Sequence, residues 1–276
     1  MRMSSILAST ALAAGLALLG TSAASAAPIT FTWNPNGTSG TSLSSAGSQF
    51  SANNMTVADY ATIDLSNLSN VTETGILAVT SFALQGGSSL HGFVNGTGQG
   101  AGGAIGGATP YQLYFTFSST SQLAPNGSGG LTGTFTSLTY TLWGDVGGNC
   151  AFSVSGAACG GDTQLALATG SLSSLGLNSV NINSGGIPSA NVNVDITLGA
   201  DAGAFFVNPS DLTGFNFETA FTNTVGVVSQ TGSIITINGG GGNVDLIPVP
   251  EPVTLSVFGA GLAGAFIARR RKAKKA

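Results

Sequence analysis

Residues able to do chemistry are few and scattered. Cys150 and Cys159 are the two cysteines, His91 is the one histidine, and 11 acids complete the set. Two thiols with eight residues between them suit a disulfide in an oxidising compartment, closing the loop CAFSVSGAAC as a small pinned hairpin. They suit zinc poorly, because there is no second thiol pair. Asp145 and Asp162 bracket this loop, and Asp195 and Asp201 lie at or beyond the end of a strand. Turn carboxylates are calcium-ligand chemistry, but that ion takes roughly six to eight oxygens. Solvated turn aspartates are the simpler expectation. No cofactor is therefore expected, with calcium at Asp145 and Asp162 kept as the candidate.

Hydrolysis would need an activated nucleophile, or two carboxylates roughly 5–10 Å apart. No serine sits in a Gly-x-Ser-x-Gly elbow, and a triad would have to use His91. Glu73 and Glu218 are the glutamates available for an acid pair. No catalytic residue is assigned, and a non-enzymatic protein is expected. Gly98–Gly103 spells Gly-x-Gly-x-x-Gly, but leads to Pro110 and a strand rather than to a helix, so no dinucleotide site follows. Gly239–Gly242 before Asp245 has Asn243 where a calcium repeat needs glycine. Trp33 and Trp143 are either sugar-stacking platforms or core residues, and the core is the expectation.

Charge narrows the partners. The chain carries 7 basic and 11 acidic residues, and charged side chains are 7% of the whole. All the basic ones are terminal: Arg2, then Arg269, Arg270, Arg271, Lys272, Lys274 and Lys275. From Met3 to Ala268 there is no Lys or Arg. Ten acids fall between residues 27 and 250, so that stretch has a formal charge of 0 − 10 = −10. Such a body has nothing to neutralise phosphate, which argues against nucleic acid. It also cannot form internal Lys or Arg ion pairs.

The two ends read as addresses. Arg2, the apolar run Ile6 to Leu19 and the small-x-small site Ala24-Ser25-Ala26 make a signal peptide over residues 1–26, cut before Ala27 by the general secretion machinery. At the other end, Val249-Pro250-Glu251-Pro252 precedes an uncharged run, residues 253–268, and then the tail RRRKAKKA, residues 269–276. Sixteen residues span about 24 Å as a helix, and flanking arginines can snorkel to complete a membrane crossing. The positive-inside rule leaves the tail cytoplasmic and the body outside. An ordinary single C-terminal anchor is one reading of this end.

The ordered trio of Pro-Glu-Pro, Gly/Ala-rich helix and the cluster Arg269, Arg270, Arg271 and Lys272 resembles the PEP-CTERM sorting signal of Gram-negative bacteria. That resemblance, over residues 247–276, implies cutting near Pro250-Glu251-Pro252 by the membrane enzyme exosortase. It implies a transient inner-membrane stage, then the cell surface or an extracellular matrix of polysaccharide, biofilm or floc. Short stretches of the body, Asp59–Ile63, Pro110–Phe117 and Leu142–Asp145, are similar in order and flavour to the flocculation-associated subgroup. No binding residue is carried over from it.

Residues 27–246 must position whatever chemistry there is. Alternation by two dominates: Tyr111, Leu113, Phe115 and Phe117 share one face, as do Val192, Val194, Ile196 and Leu198, and Phe215, Phe217 and Phe221. Along Leu131 to Trp143 the parity changes between Phe135 and Leu138, predicting a turn or bulge near Thr136–Ser137. Ile235 and Ile237, then Val244 and Leu246, read as two short strands across a Gly239–Gly242 turn. Gly/Ser/Asn clusters at 34–40, 96–107, 125–130, 145–149 and 184–188 read as turns and loops. The expectation is an all-β domain, a single antiparallel β-sandwich.

Overall fold

The computed structural model describes residues 30–37, 42–43, 49–84, 89–92, 111–174, 178–207 and 215–248. The expected signal peptide, the Gly96–Gly107 loop, the span 253–268 and the basic tail lie outside the described residues. No helix among the described residues is long and apolar enough to cross a membrane.

In chain order the strands are β1 (Phe31–Trp33), β2 (Phe50–Ala52), β3 (Asn54–Asp64), β4 (Val71–Ala83), β5 (Ser89–Gly92), β6 (Gln112–Pro125), β7 (Leu131–Asp145), β8 (Ala151–Ser153) and β9 (Gly156–Ala158). They continue with β10 (Gln164–Ser171), β11 (Asn178–Ile182), β12 (Pro188–Asp195), β13 (Thr197–Leu198), β14 (Phe215–Thr222), β15 (Val228–Thr231) and β16 (Ile234–Pro248). A short 3-10 turn, Ala202–Ala204, follows β13.

The all-β, antiparallel expectation holds, but the sandwich does not form. Eight strands pair in the order β3, β4, β6, β7, β11, β12, β14, β16, and β16 returns to β3, closing a barrel. Closure depends on the length of β7. One edge of this 15-residue strand meets β6 throughout, while the other is shared. Residues 131–133 pair with β11, and residues 139–145 pair with β10. Once the sheet finds a partner for its own last edge, the unpaired N–H and C=O rows of an open sandwich disappear.

Bulges set which side chains face inward, and two of them fall where the sequence shows a change of parity. On β7 the partner of Thr120 is Ser137 and that of Ser121 is Phe135, so Thr136 is the extra residue. This is the expected parity change. The expected turn at Gly239–Gly242, by contrast, is not a turn. β16 runs unbroken through it, with Gly239 bulged at φ +85° between the partners of Tyr60 and Asp59. The bulge moves the inward positions from Ile235 and Ile237 to Gly240, Gly242, Val244 and Leu246. A glycine absorbs the left-handed φ without strain, so the parity change needs no chain reversal.

Candidate functional site

The barrel interior is filled at one end and hollow toward the other. The filled end holds the start of β3 and the end of β4. There Trp33, Phe82, Tyr111, Phe205 and Phe206 are all at most 1% exposed. The Trp33 ring lies 5.2–5.4 Å from those of Phe82, Phe205 and Phe206, in tilted contact. Its indole N–H donates to the Ala52 carbonyl at 3.2 Å, so the one polar atom of the ring is satisfied. Trp33 is thus core, as expected of it.

Deeper along the barrel lies a cavity of about 70 Å³. Its wall is largely apolar and draws on all eight barrel strands, with Phe115, Phe117, Phe135, Tyr140, Phe217 and Phe221 among the lining residues. Into this wall β3 sends Asp59, on the same face as Ala61 and Ile63, and β4 sends Glu73, on the same face as Leu77. Asn223, just past β14, adds an amide, and Ser189 and Thr219 add hydroxyls. Gly240 makes room for it, since a Cβ there would collide with the Asn223 amide oxygen.

Electrostatically the site is an acid pair without a cation. Asp59 is 3% exposed, and one of its carboxylate oxygens has no hydrogen-bond partner. Burial first, then the charge of Glu73, raises its carboxyl well above the usual range, against a smaller opposing effect of Asn223. Glu73 keeps some residue surface, but its carboxyl group is enclosed, and burial pushes it up to about 7. The Ser119 hydroxyl donates to Glu73 Oε2 at 3.3 Å, which partly offsets that shift. Each carboxyl therefore favours its neutral form more than a free acid does.

The acids singled out from sequence are dispersed. Glu218 faces outward from β14, directly across the ladder from Asp245 on β16, and both carboxyls are raised by burial. The barrel wall separates Glu218 from Glu73. Asp145 is fully buried at the end of β7 and accepts hydrogen bonds on both oxygens, from the Asn149 N–H at 3.0 Å and from the Gln164 amide. Asp162 is exposed and accepts from the Asn149 amide. Asp201 accepts from the Ala166 N–H at 3.1 Å. Of the polar lumen residues, Glu73 was singled out from its type; Asp59 and Asn223 were not. The available signal was an aspartate in phase with Ala61 and Ile63 on the apolar face of a strand.

Outside the barrel, Cys150 and Cys159 are disulfide-bonded with their Cα atoms 3.9 Å apart, and β8 and β9 form a hairpin between them. Asp145 lies close to both sulfurs, which the disulfide removes as thiolate ligands. Gln112 fixes the hairpin base by accepting from the Cys150 N–H at 2.7 Å and donating to its carbonyl at 3.3 Å. Phe152 packs against Tyr114 with the rings tilted and their centres 5.3 Å apart. The hairpin overhangs the outer face of β4, β6 and β7, leaving a groove of about 420 Å³. Thr74, Ile76, Tyr114, Thr116 and half-buried Trp143 line the barrel side. The Trp143 indole N–H donates to the Thr116 hydroxyl at 3.1 Å. An aromatic surface ringed by hydroxyls is suited to a polyhydroxylated ligand.

The last described strand, β16, ends at Pro248, where a recognisable signal begins. Residues 248–272 match the PEP-CTERM protein-sorting motif. The motif marks the protein as an exosortase substrate, exported to the cell surface or beyond. No curated protein and no solved structure matches the chain.

Proposed function

We propose that this exosortase-sorted protein is a non-enzymatic adhesive component of an extracellular polysaccharide matrix, of the biofilm or floc kind, and that it holds neutral glycan in the Trp143 groove. Before processing it is anchored in the inner membrane through residues 253–268. The observation that carries the reading is Trp143, half-buried on the barrel wall beneath a disulfide-stapled hairpin and beside Thr74 and Thr116. The charge distribution selects the glycan: a body of formal charge −10 without Lys or Arg repels acidic polymers. Hydrolysis in the lumen is disfavoured by size, because a cavity of about 70 Å³ does not admit a glycosidic bond flanked by two sugars.

The test is a pull-down with neutral and acidic polysaccharides, with and without chelator, alongside Trp143→Ala. Trp33→Phe leaves Trp143 as the one fluorescent indole, so its quenching reports the groove directly. Retention on neutral glycan, insensitive to chelator and weakened roughly tenfold by Trp143→Ala, supports the proposal. Chelator-sensitive retention replaces it with a calcium-dependent adhesin. Release of new reducing ends from the glycan removes the non-enzymatic part.

A further inference from the structure

The lumen has a surplus of hydrogen-bond acceptors that the protein itself does not meet. Among the described residues, three buried side-chain oxygens lack any partner, and two of them, Asp59 Oδ1 and Asn223 Oδ1, belong to residues lining the cavity. Both residues are more than nine-tenths buried. Several lining donors are already committed to main-chain carbonyls. Tyr140 donates to Asp195 at 2.9 Å, Thr219 to Val192 at 3.2 Å and the Asn223 amide to Pro188 at 3.3 Å. Glu73 receives the Ser119 hydroxyl. No Lys or Arg exists between Met3 and Ala268 to supply a cation. Leaving such acceptors dry and unmatched is costly, so they mark where a donor belongs.

We propose that the barrel lumen binds a small organic cation, a short primary ammonium whose N–H groups are received by Asp59, Glu73 and Asn223. The rest of the wall decides between an organic cation and a metal ion. Calcium wants roughly six to eight oxygens, and the largely apolar lumen offers, among aromatic rings, two carboxylates, one amide and the hydroxyls of Ser189 and Thr219, the latter already bonded to the Val192 carbonyl. Those rings, Phe115, Phe117 and Phe217 among them, suit an alkyl chain and the face of a cation. Size limits the chain. The cavity of about 70 Å³ is roughly half the ~150 Å³ that accommodates benzene, which allows only a few heavy atoms. Eight-stranded barrels are wide enough to hold one small ligand in this way.

The test is a calorimetric titration of the full-length protein at pH 8 with n-propylammonium chloride, with the neutral isostere 1-propanol and with calcium chloride. Saturable 1:1 heat with the ammonium alone is the expected result. Asp59→Asn keeps the shape of the side chain and should weaken binding at least about tenfold. Glu73→Gln should do likewise, and serves if the first variant does not fold. Asp64→Asn, at the last residue of β3 and on the face opposite Asp59 and Ile63, should leave binding intact. Trp143→Ala should also leave it intact, which separates failure here from failure of the glycan groove. The proposal is overturned if propylammonium gives no heat, if 1-propanol binds equally, if calcium binds and displaces the amine, or if Asp59→Asn binds as well as the native protein.

Discussion

The two ends of one barrel interior solve the same problem in opposite ways. Around Trp33 the space is filled by rings whose polar atom is satisfied. Around Asp59 the same wall is left partly hollow and carries charge. A barrel needs the first arrangement to stay closed, because interdigitated rings supply burial and fix the strand ends. The second arrangement costs stability, so substitutions at the two ends should have opposite signs.

The largest effect is expected from Trp33→Ala, which empties the centre of the filled end. Denaturant melts should show a loss of about 3–5 kcal/mol. An unchanged midpoint would mean that the aromatic cluster does not hold the barrel shut. Next comes pH. The titratable groups facing the cavity are Asp59, Glu73 and Tyr140. Burial pushes the Glu73 carboxyl from its ordinary 4.5 up to about 7, so the folded state holds its proton where the unfolded chain has lost it. Stability should therefore fall as pH rises from about 4.5 to about 7 and level off above, by on the order of 3 kcal/mol. Asp59 adds in the same direction. Glu73→Gln should flatten the profile and raise stability at pH 8, the reverse of Trp33→Ala.

Reducing the disulfide, or changing Cys150 and Cys159 to Ser, should cost about 2–3 kcal/mol in thermal melts. Because the hairpin forms the outer rim of the groove, glycan retention should fall with it while propylammonium binding persists. The smallest effect is expected from Gly240→Ala. Its Cβ would collide with the Asn223 amide oxygen, and displacing that side chain should cost about 1–3 kcal/mol. Amine affinity should drop with it, whereas Gly127→Ala, which meets nothing nearby, should be silent.

Much of the wall was legible from alternation, and the two bulges show where legibility ended. On β7 an extra residue between Phe135 and Leu138 could be counted directly, and Thr136 is that residue. On β16 the same parity change was hidden by four glycines, which ordinarily signal reversal. Here they give a bulge at Gly239 and space for the side chains of Asn223 and Phe221. Closure was not legible either, since it rests on three residue pairs between β7 and β11. The acid pair depends in turn on the register of β3 against β4. Asp59 lies opposite Leu77, and Glu73 opposite Ile63, which no local pattern reports. The sorting motif was readable because it is a local sequence recognised in order rather than a shape.

The absence of Lys and Arg between Met3 and Ala268 also limits which proteases can cut the barrel. Trypsin-like proteases cut after those two residues, so the whole wall, folded or not, offers them no scissile bond. Other proteases need an extended exposed segment, and strands of 14 and 15 residues, paired on both edges over much of their length, yield one by opening the barrel. A surface without lysine is equally closed to amine-directed cross-linking. Between Met3 and Ala268 the chain therefore offers neither a tryptic site nor a side-chain amine for covalent attachment.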